Sequence, residues 1–245
     1  MIDSRESRVH AAEIKFRVGA AAADQIRQWA RAHMQADPHG SGPFGDQYET
    51  ATVYFDTDDL DVFYQRGSFG RAKFRIRRYA EADVVFLERK LRRPGMLVKR
   101  RTPVPVAALE ELTGVNGSGA ADARWFARRL RARGLGPVCR LSYGRTARSL
   151  PGDPAAPRLT VDAVIRASGV DDIRFDGEAG VPVLGDDQVL ELKFRGAVPA
   201  IFKRLMSDLV LRPETLSKYR AGVSVLGLAG ADDEPPALVG GGARA

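Results

Sequence analysis

Short runs in which apolar and polar residues alternate dominate this chain, interrupted by three stretches in which apolar residues return every three to four positions. The alternating runs predict strands over 9–18, 48–56, 69–79, 83–91, 95–104, 138–149, 157–166, 170–176 and 187–195. The longer period predicts helices over 20–35, 121–133 and 198–211. Glycine and proline punctuate the pattern at DPHGSGPFG (37–45), RRPG (92–95), NGSG (116–119) and PGDPAAP (151–157). Many strands and few helices imply an α+β protein built on antiparallel sheet, and eight or nine strands invite closure into a barrel. Ile26, Trp29 and Ala30, then Ile201, Phe202, Leu205 and Leu209, have the spacing to pack their helices on the outside of such a barrel. Trp125, Phe126 and Leu130 read as core at helical spacing rather than as a stacking platform for bases.

One folded domain is expected over 9–226, since no linker divides the middle of the chain. Residues 1–8 are expected to be disordered. The end, AGADDEPPALVGGGARA over 229–245, has too few large apolar groups to order itself and is expected to be disordered too.

The polar halves of the strands carry unusual chemistry. In FGRAKFRIRRY (69–79), Arg71, Lys73, Arg75 and Arg77 occupy alternate positions, while Ala72, Phe74 and Ile76 share the opposite face. A solvated antiparallel face would look the same. Between Arg66 and Arg101, however, 13 Lys and Arg face 3 acids, an excess larger than the +7 of the whole 245-residue chain. Same-face cations on a strand stand roughly 6–7 Å apart, so four of them suit an extended polyanion better than a single phosphate.

Three strands also place Glu and Lys two apart: Glu13 and Lys15 in AEIKF, Glu88 and Lys90 in FLERK, Glu191 and Lys193 in LELKF. Large hydrophobes interleave them, which implies that both faces are covered. A covered face of carboxylates and ammonium groups is either a costly structural network or a site. In a barrel lumen, the cations would surround phosphates and a glutamate or two would hold a divalent metal. Phosphoryl transfer asks for little beyond such positioning and neutralisation.

In order, EIKF (13–16), KFRIRRY (73–79), FLERK (86–90), VKRR (98–101), SYGRTA (142–147), LTVD (159–162), LELKF (190–194) and SKY (217–219) resemble the VTC domain of the triphosphate tunnel metalloenzymes, a CYTH-like superfamily. The resemblance implies a closed antiparallel eight-stranded barrel, open as a tunnel. It also implies a polyphosphate polymerase that moves the γ-phosphate of ATP to a growing chain with Mn2+ or Mg2+. Carried over by position, Lys15, Arg75, Arg77, Lys90, Lys99, Arg145 and Lys218 are the implied phosphate ligands, with Tyr143 and Ser217 as hydrogen-bonding partners. Glu191 is the implied principal metal ligand, and Glu13, Glu88 and Asp162 are further candidates. Arg71, Lys73 and Arg101 join the lumen by alternation more than by motif. The cyclase and thiamine triphosphatase branch carries a further glutamate where this chain has Ala11, which favours the VTC branch.

Composition narrows the rest. A pI near 9.8 favours anionic partners, here ATP and inorganic polyphosphate or triphosphate rather than a specific nucleic acid. The single cysteine, Cys139, cannot make an intrachain disulfide and suits a reducing compartment. With no secretory h-region at MIDSRESRVH and no run of membrane-spanning length, a cytoplasmic protein is expected. His10, His33 and His39 lack zinc-site spacing, and no GxxxxGK[ST] or GxGxxG loop is present. Two other readings stay open beside the polymerase. One is a tripolyphosphatase or nucleoside triphosphatase on the same barrel, which would need Glu88, Asp162 or Glu13 to orient water. The other is a non-catalytic module that binds polyphosphate or another polyanion.

Overall fold

The structure, a computed structural model, describes residues 7–9, 11–93, 96–109, 123–151, 157–177 and 179–230. Alternation becomes strand at β1 (Ser7–Val9), β2 (Ala11–Val18), β4 (Gln47–Asp56), β5 (Ala72–Tyr79), β6 (Val84–Arg93), β7 (Met96–Pro105), β8 (Gly136–Ser149), β9 (Arg158–Gly169) and β11 (Gln188–Arg195). Two-residue strands β3 (Gln35–Ala36) and β10 (Val181–Pro182) pair with β8 and β9. The four described helices are α1 (Ala20–His33), α2 (Arg124–Arg131), α3 (Ala200–Asp208) and α4 (Lys218–Val225).

The sheet runs in the order β1-β7-β6-β5-β4-β8-β9-β11-β2, every pair antiparallel. Its path is open: among the described residues no hydrogen-bonded ladder joins the two ends, and with β3 and β10 it counts eleven strands rather than eight. The ends are nevertheless neighbours in sequence. β1 pairs with β7 at Ser7–Lys99, β2 pairs with β11 at Glu191–Lys15, and a single position separates Val9 from Ala11.

Period-2 alternation decides what each face touches. On one face Phe16, Leu159, Val161, Leu190, Leu192 and Phe194 bury against Ala23, Ile26 and Ala30 of α1 and Phe202 and Leu205 of α3. Farther along that face, Val53, Phe55, Phe74, Ile76, Val85 and Leu87 bury with Trp125 and Phe126 of α2. Each large side chain taken fully out of water there contributes about 1.5–3 kcal/mol. The other face carries Lys15, Arg75, Arg77, Glu88 and Glu191, each on the alternate positions.

Several expectations are corrected. The segment 170–176 contains no strand, since Asp171–Asp172 and the following polar turns bend it. The strand expected from residue 69 begins at Ala72, because Gly67–Arg71 is a 3-10 turn. Gly70 sits there with its backbone against Gln65, where a Cβ would lie 2.7 Å from the Gln65 carbonyl oxygen. Ser7 and Arg8 belong to β1 and not to a disordered tail, and Ala229 packs against the core, while the expectations for 1–6 and 231–245 lie outside the described residues. The helices are not all on the outside either. α4, which the periodicity did not reveal, packs on the charged face: Gly222 approaches Leu141, Cys139 and Ala167, and Tyr219 stacks on Tyr54 at 5.1 Å between ring centroids. Tyr54 pairs with Arg75 on β5 and with Cys139 on β8, which places all of them on one face.

Candidate functional site

Two ion-pair clusters and a buried guanidinium occupy the charged face. The first cluster centres on Glu88, which is 1% exposed. Strand pairing sets Glu88 between Arg75 of β5 and Arg101 of β7. Its carboxylate accepts from Arg75 Nε at 2.7 Å, and Lys99 Nζ lies 2.8 Å and Arg101 Nε 3.3 Å away. Burial pushes Glu88 up, but Arg75, Lys99 and the neighbouring arginines outweigh it and hold the carboxyl well below its usual range. Lys99 shares the effect in reverse: desolvation lowers it to about 8 despite Glu88.

The second cluster forms where β2, β9 and β11 meet α4. Register places Glu191 opposite Lys15, and Lys193 opposite Glu13. Glu13 lies 3.0 Å from Lys15, 3.4 Å from Lys90 and 3.9 Å from Lys193. Glu191 lies 2.7 Å from Lys218, 3.1 Å from Lys193 and 3.6 Å from Lys15. Lys218 bridges onward to Asp162 at 2.8 Å, and Arg145 donates to both Asp162 oxygens at 2.6 and 2.8 Å. Burial acts first on these acids and raises them, yet the facing cations win, leaving Glu13, Asp162 and Glu191 all lowered. Lys218 is raised by Asp162 and Glu191 against its own burial. Lys90, desolvated and crowded by Lys15 and Lys193, falls to about 8 even with Glu13 beside it.

Between the clusters lies Arg77, 5% exposed. Its Nε donates to Thr52 Oγ1 at 3.0 Å and its Nη2 to Tyr143 OH at 3.0 Å. Among the described residues no carboxylate lies within ion-pair distance of it, unlike Arg75 and Arg145. Tyr143 OH also accepts from Arg145 Nη2 at 3.4 Å, so one phenol holds two guanidiniums in place. The start of α4 completes the arrangement. Ser217 caps the helix by accepting from Arg220 N–H, and the same hydroxyl accepts from Lys73 Nζ at 2.8 Å. Lys15 Nζ donates to the Leu216 carbonyl at 3.2 Å.

The VTC domain family profile matches residues 10–227. The chain belongs to the VTC domain family. Among curated proteins none is significantly similar in sequence to this VTC domain. Among solved structures it is similar to a candidate adenylate cyclase from Bacillus halodurans, at 16% identity over 86% of this chain and 95% of that one, with a TM-score of 0.54. It is also similar to a candidate adenylyl cyclase from Hippeastrum described as having a dominant triphosphatase activity, at 15% identity over 90% and 96% of the two chains and a TM-score of 0.49. A candidate adenylate cyclase from Vibrio parahaemolyticus matches at 12% identity over 88% and 98%, with a TM-score of 0.47. The first of these supports the shared fold.

Within this VTC domain, Lys15, Lys73, Arg75, Arg77, Lys90, Lys99, Arg101, Tyr143, Arg145, Ser217 and Lys218 all lie on the charged face. Arg71 does not join them: it ends the 3-10 turn and is exposed. The four candidate metal carboxylates divide, since among the described residues Glu88 shares no ion-pair partner with Glu13, Asp162 or Glu191. Lys193, which is not among the site residues the resemblance implies, links Glu191 to Glu13, and its place in LELKF, two residues past Glu191, is the signal for it. Thr52 and Tyr54, which accept from Arg77 and Arg75, carried no signal, because only the pairing of β4 with β5 brings them there. Two surface cavities of about 450 and 610 Å³ lie elsewhere, beside Arg140 and beneath α2, and none of these residues lines them.

Proposed function

We propose that this VTC domain is a polyphosphate polymerase-type phosphotransferase whose charged face, curled into a tunnel, binds the triphosphate of ATP and the end of a polyphosphate chain. The observation that carries the reading is Arg77. A buried guanidinium whose direct partners are two hydroxyls, with Arg75 beside it and Glu88 acting only from beyond ion-pair distance, has room for an anion in contact, and a phosphate chain supplies one. Arg75, Lys90, Lys99, Lys15, Arg145 and Lys218 extend the same cationic lining.

In the proposed step the bond between the γ-phosphorus and the β–γ bridging oxygen breaks as a terminal oxygen of the acceptor chain bonds to that phosphorus, and ADP leaves. That acceptor oxygen is already anionic at neutral pH, so it needs no general base. The interior supports this over hydrolysis: Glu13, Glu88, Asp162 and Glu191 are all held ionised below their usual range by cations, and a carboxylate so stabilised is a weak base toward water.

The triphosphate tunnel family depends on a divalent metal, which neutralises phosphate oxygens when bound. Among the described residues no three His, Cys, Asp or Glu converge as a metal site. Glu191 and Glu13, both within reach of Lys15 and Lys193, fit the alternative in which one or two carboxylates hold Mg2+ or Mn2+ and phosphate oxygens and water complete the sphere. Among the described residues no helix is long and apolar enough to cross a membrane.

The test is incubation of the purified chain with ATP and Mn2+ or Mg2+, with products separated by gel and stained for polyphosphate. Long polymer supports the polymerase. Phosphate release alone makes the domain a hydrolase, and neither product makes it a binding module.

A further inference from the structure

The charged rows end in rings. On β5 the sequence Lys73, Arg75, Arg77 is continued at the next same-face position by Tyr79, and on β6 the positions Lys90 and Glu88 are continued by Phe86. Register sets Phe86 opposite Arg77, and Tyr79 opposite Thr50 of β4, two residues from Tyr48. The three half-buried rings make a continuous strip: Tyr48 meets Tyr79 edge-on at 5.6 Å, and Tyr79 meets Phe86 at 5.6 Å. Guanidiniums stand at both ends. Arg101 lies 3.6 Å over the Phe86 ring and 5.3 Å from that of Tyr79, and Arg158 donates to Tyr48 OH at 2.7 Å. The strip lies at the end of the face opposite α4, whose Ser217 meets Lys73 and whose Tyr219 meets Tyr54.

A phosphate chain has no use for such a strip, because ring faces are electron-rich and repel anions. Planar π groups do: bases stack on aromatic side chains and on arginine planes, tolerantly of sequence. We propose that Tyr79 and Phe86, with Arg101, seat the nucleobase of a nucleoside triphosphate whose phosphates extend from Arg77 toward α4. This rests on the reading of the charged face as a triphosphate site, and it makes the strip the element that separates nucleotide from inorganic triphosphate. The rings and the phosphate ligands are electrostatically in contact: burial would raise the Tyr79 phenol, but Arg77 and Arg101 pull it down to about 7.

The experiment titrates two probes, ATP and inorganic tripolyphosphate, calorimetrically against the full chain and against Tyr79→Leu and Phe86→Leu, with EDTA present so that no turnover occurs. The expected result is a rise of roughly tenfold or more in the Kd for ATP, the scale of losing a stacked base, with tripolyphosphate binding within about twofold of the parent. Equal loss for both probes, or no change for either, would make the strip a packing element and overturn the inference while leaving the phosphate reading intact. Failure of the parent chain to bind tripolyphosphate would overturn the phosphate reading itself and the base site with it. Should a Leu variant misfold by circular dichroism, the parent chain decides: ATP must bind more tightly than ribose 5′-triphosphate, which lacks the base, and equal affinities would overturn the proposal.

Discussion

Replacing Arg77 by Met separates a cation kept for a ligand from one kept for the fold. In the free protein the side chain is 5% exposed and bonded to Thr52 and Tyr143, both neutral. Arg75 stands two residues away on the same face, roughly 6–7 Å along the strand. At an effective dielectric constant of about 20, that repulsion is worth roughly 2–3 kcal/mol. Methionine of similar length removes it together with the desolvation of the charge. Against this stand two hydrogen bonds to neutral partners, worth about 1 kcal/mol each, a Thr52 hydroxyl left without its donor at about 1–3 kcal/mol, and the lost attraction of Glu88 beyond ion-pair distance. Tyr143 keeps its contact with Arg145. The two sides nearly cancel, so Arg77→Met should unfold within a few degrees of the parent or above it. Binding behaves differently. Two charge-assisted bonds to phosphate, at the lower limit of about 1.5 kcal/mol each, sum to roughly 3 kcal/mol, or a Kd for tripolyphosphate about 150-fold weaker. Thermal unfolding by circular dichroism and calorimetric titration with tripolyphosphate measure the two quantities on one preparation. A variant that loses about 3 kcal/mol or more of stability and still binds tripolyphosphate as the parent does would show that Arg77 serves the fold, and the argument for a phosphate site would lose its main support.

Lys90 and Lys99, both lowered to about 8 mainly by desolvation, are charged below that pH and neutral above it. A bound phosphate favours the charged form, so tripolyphosphate affinity should fall as pH rises through about 8, by up to tenfold per lysine per pH unit until the bound-state pKa is passed; a flat profile from pH 7 to 10 contradicts it. Glu191→Gln should lower turnover by roughly a hundredfold, the scale of losing a major electrostatic stabiliser. It should also tighten metal-free tripolyphosphate binding, because Lys15, Lys193 and Lys218 lose a competing anion; full activity with unchanged binding would return the metal role to Glu13 or Asp162. Gly222→Val forces a side chain where a Cβ alone would already lie 2.8 Å from Leu141 Cδ2 and 3.1 Å from Cys139 Sγ. Overpacking of that kind costs about 1–3 kcal/mol, and because α4 carries Ser217 and Lys218 the variant should lose tripolyphosphate affinity beyond its loss in stability; a stable variant with parental affinity would show that α4 does not position them.

The face on which each charge lies was legible in the sequence because a period of two is a local property. Lys15 opposite in direction to Phe16, or Arg75 to Ile76, follows from one strand alone. What was not legible depends on pairing between distant segments. Which lysine answers Glu191 is fixed by β11 meeting β2 and by α4 meeting both, across separations that no spacing rule spans. α4 itself escaped detection for a related reason: Lys218, Tyr219, Arg220, Gly222 and Val223 are all buried, so the helix has no single apolar stripe for a 3.6-residue period to reveal. Counting cations was also a poor guide to the site. Arg71 extended the alternating row yet fell on the 3-10 turn, while most of the remaining cations proved to have carboxylate partners. The distinction that matters is between cations in contact with a carboxylate, such as Arg145 on Asp162, and Arg77, whose direct partners are hydroxyls. That distinction also orients the site. With α4 and Lys218 at one end and the rings of Tyr79 and Phe86, flanked by Arg101, at the other, the proposed nucleoside triphosphate would run with its base on the rings and its phosphates from Arg77 toward α4.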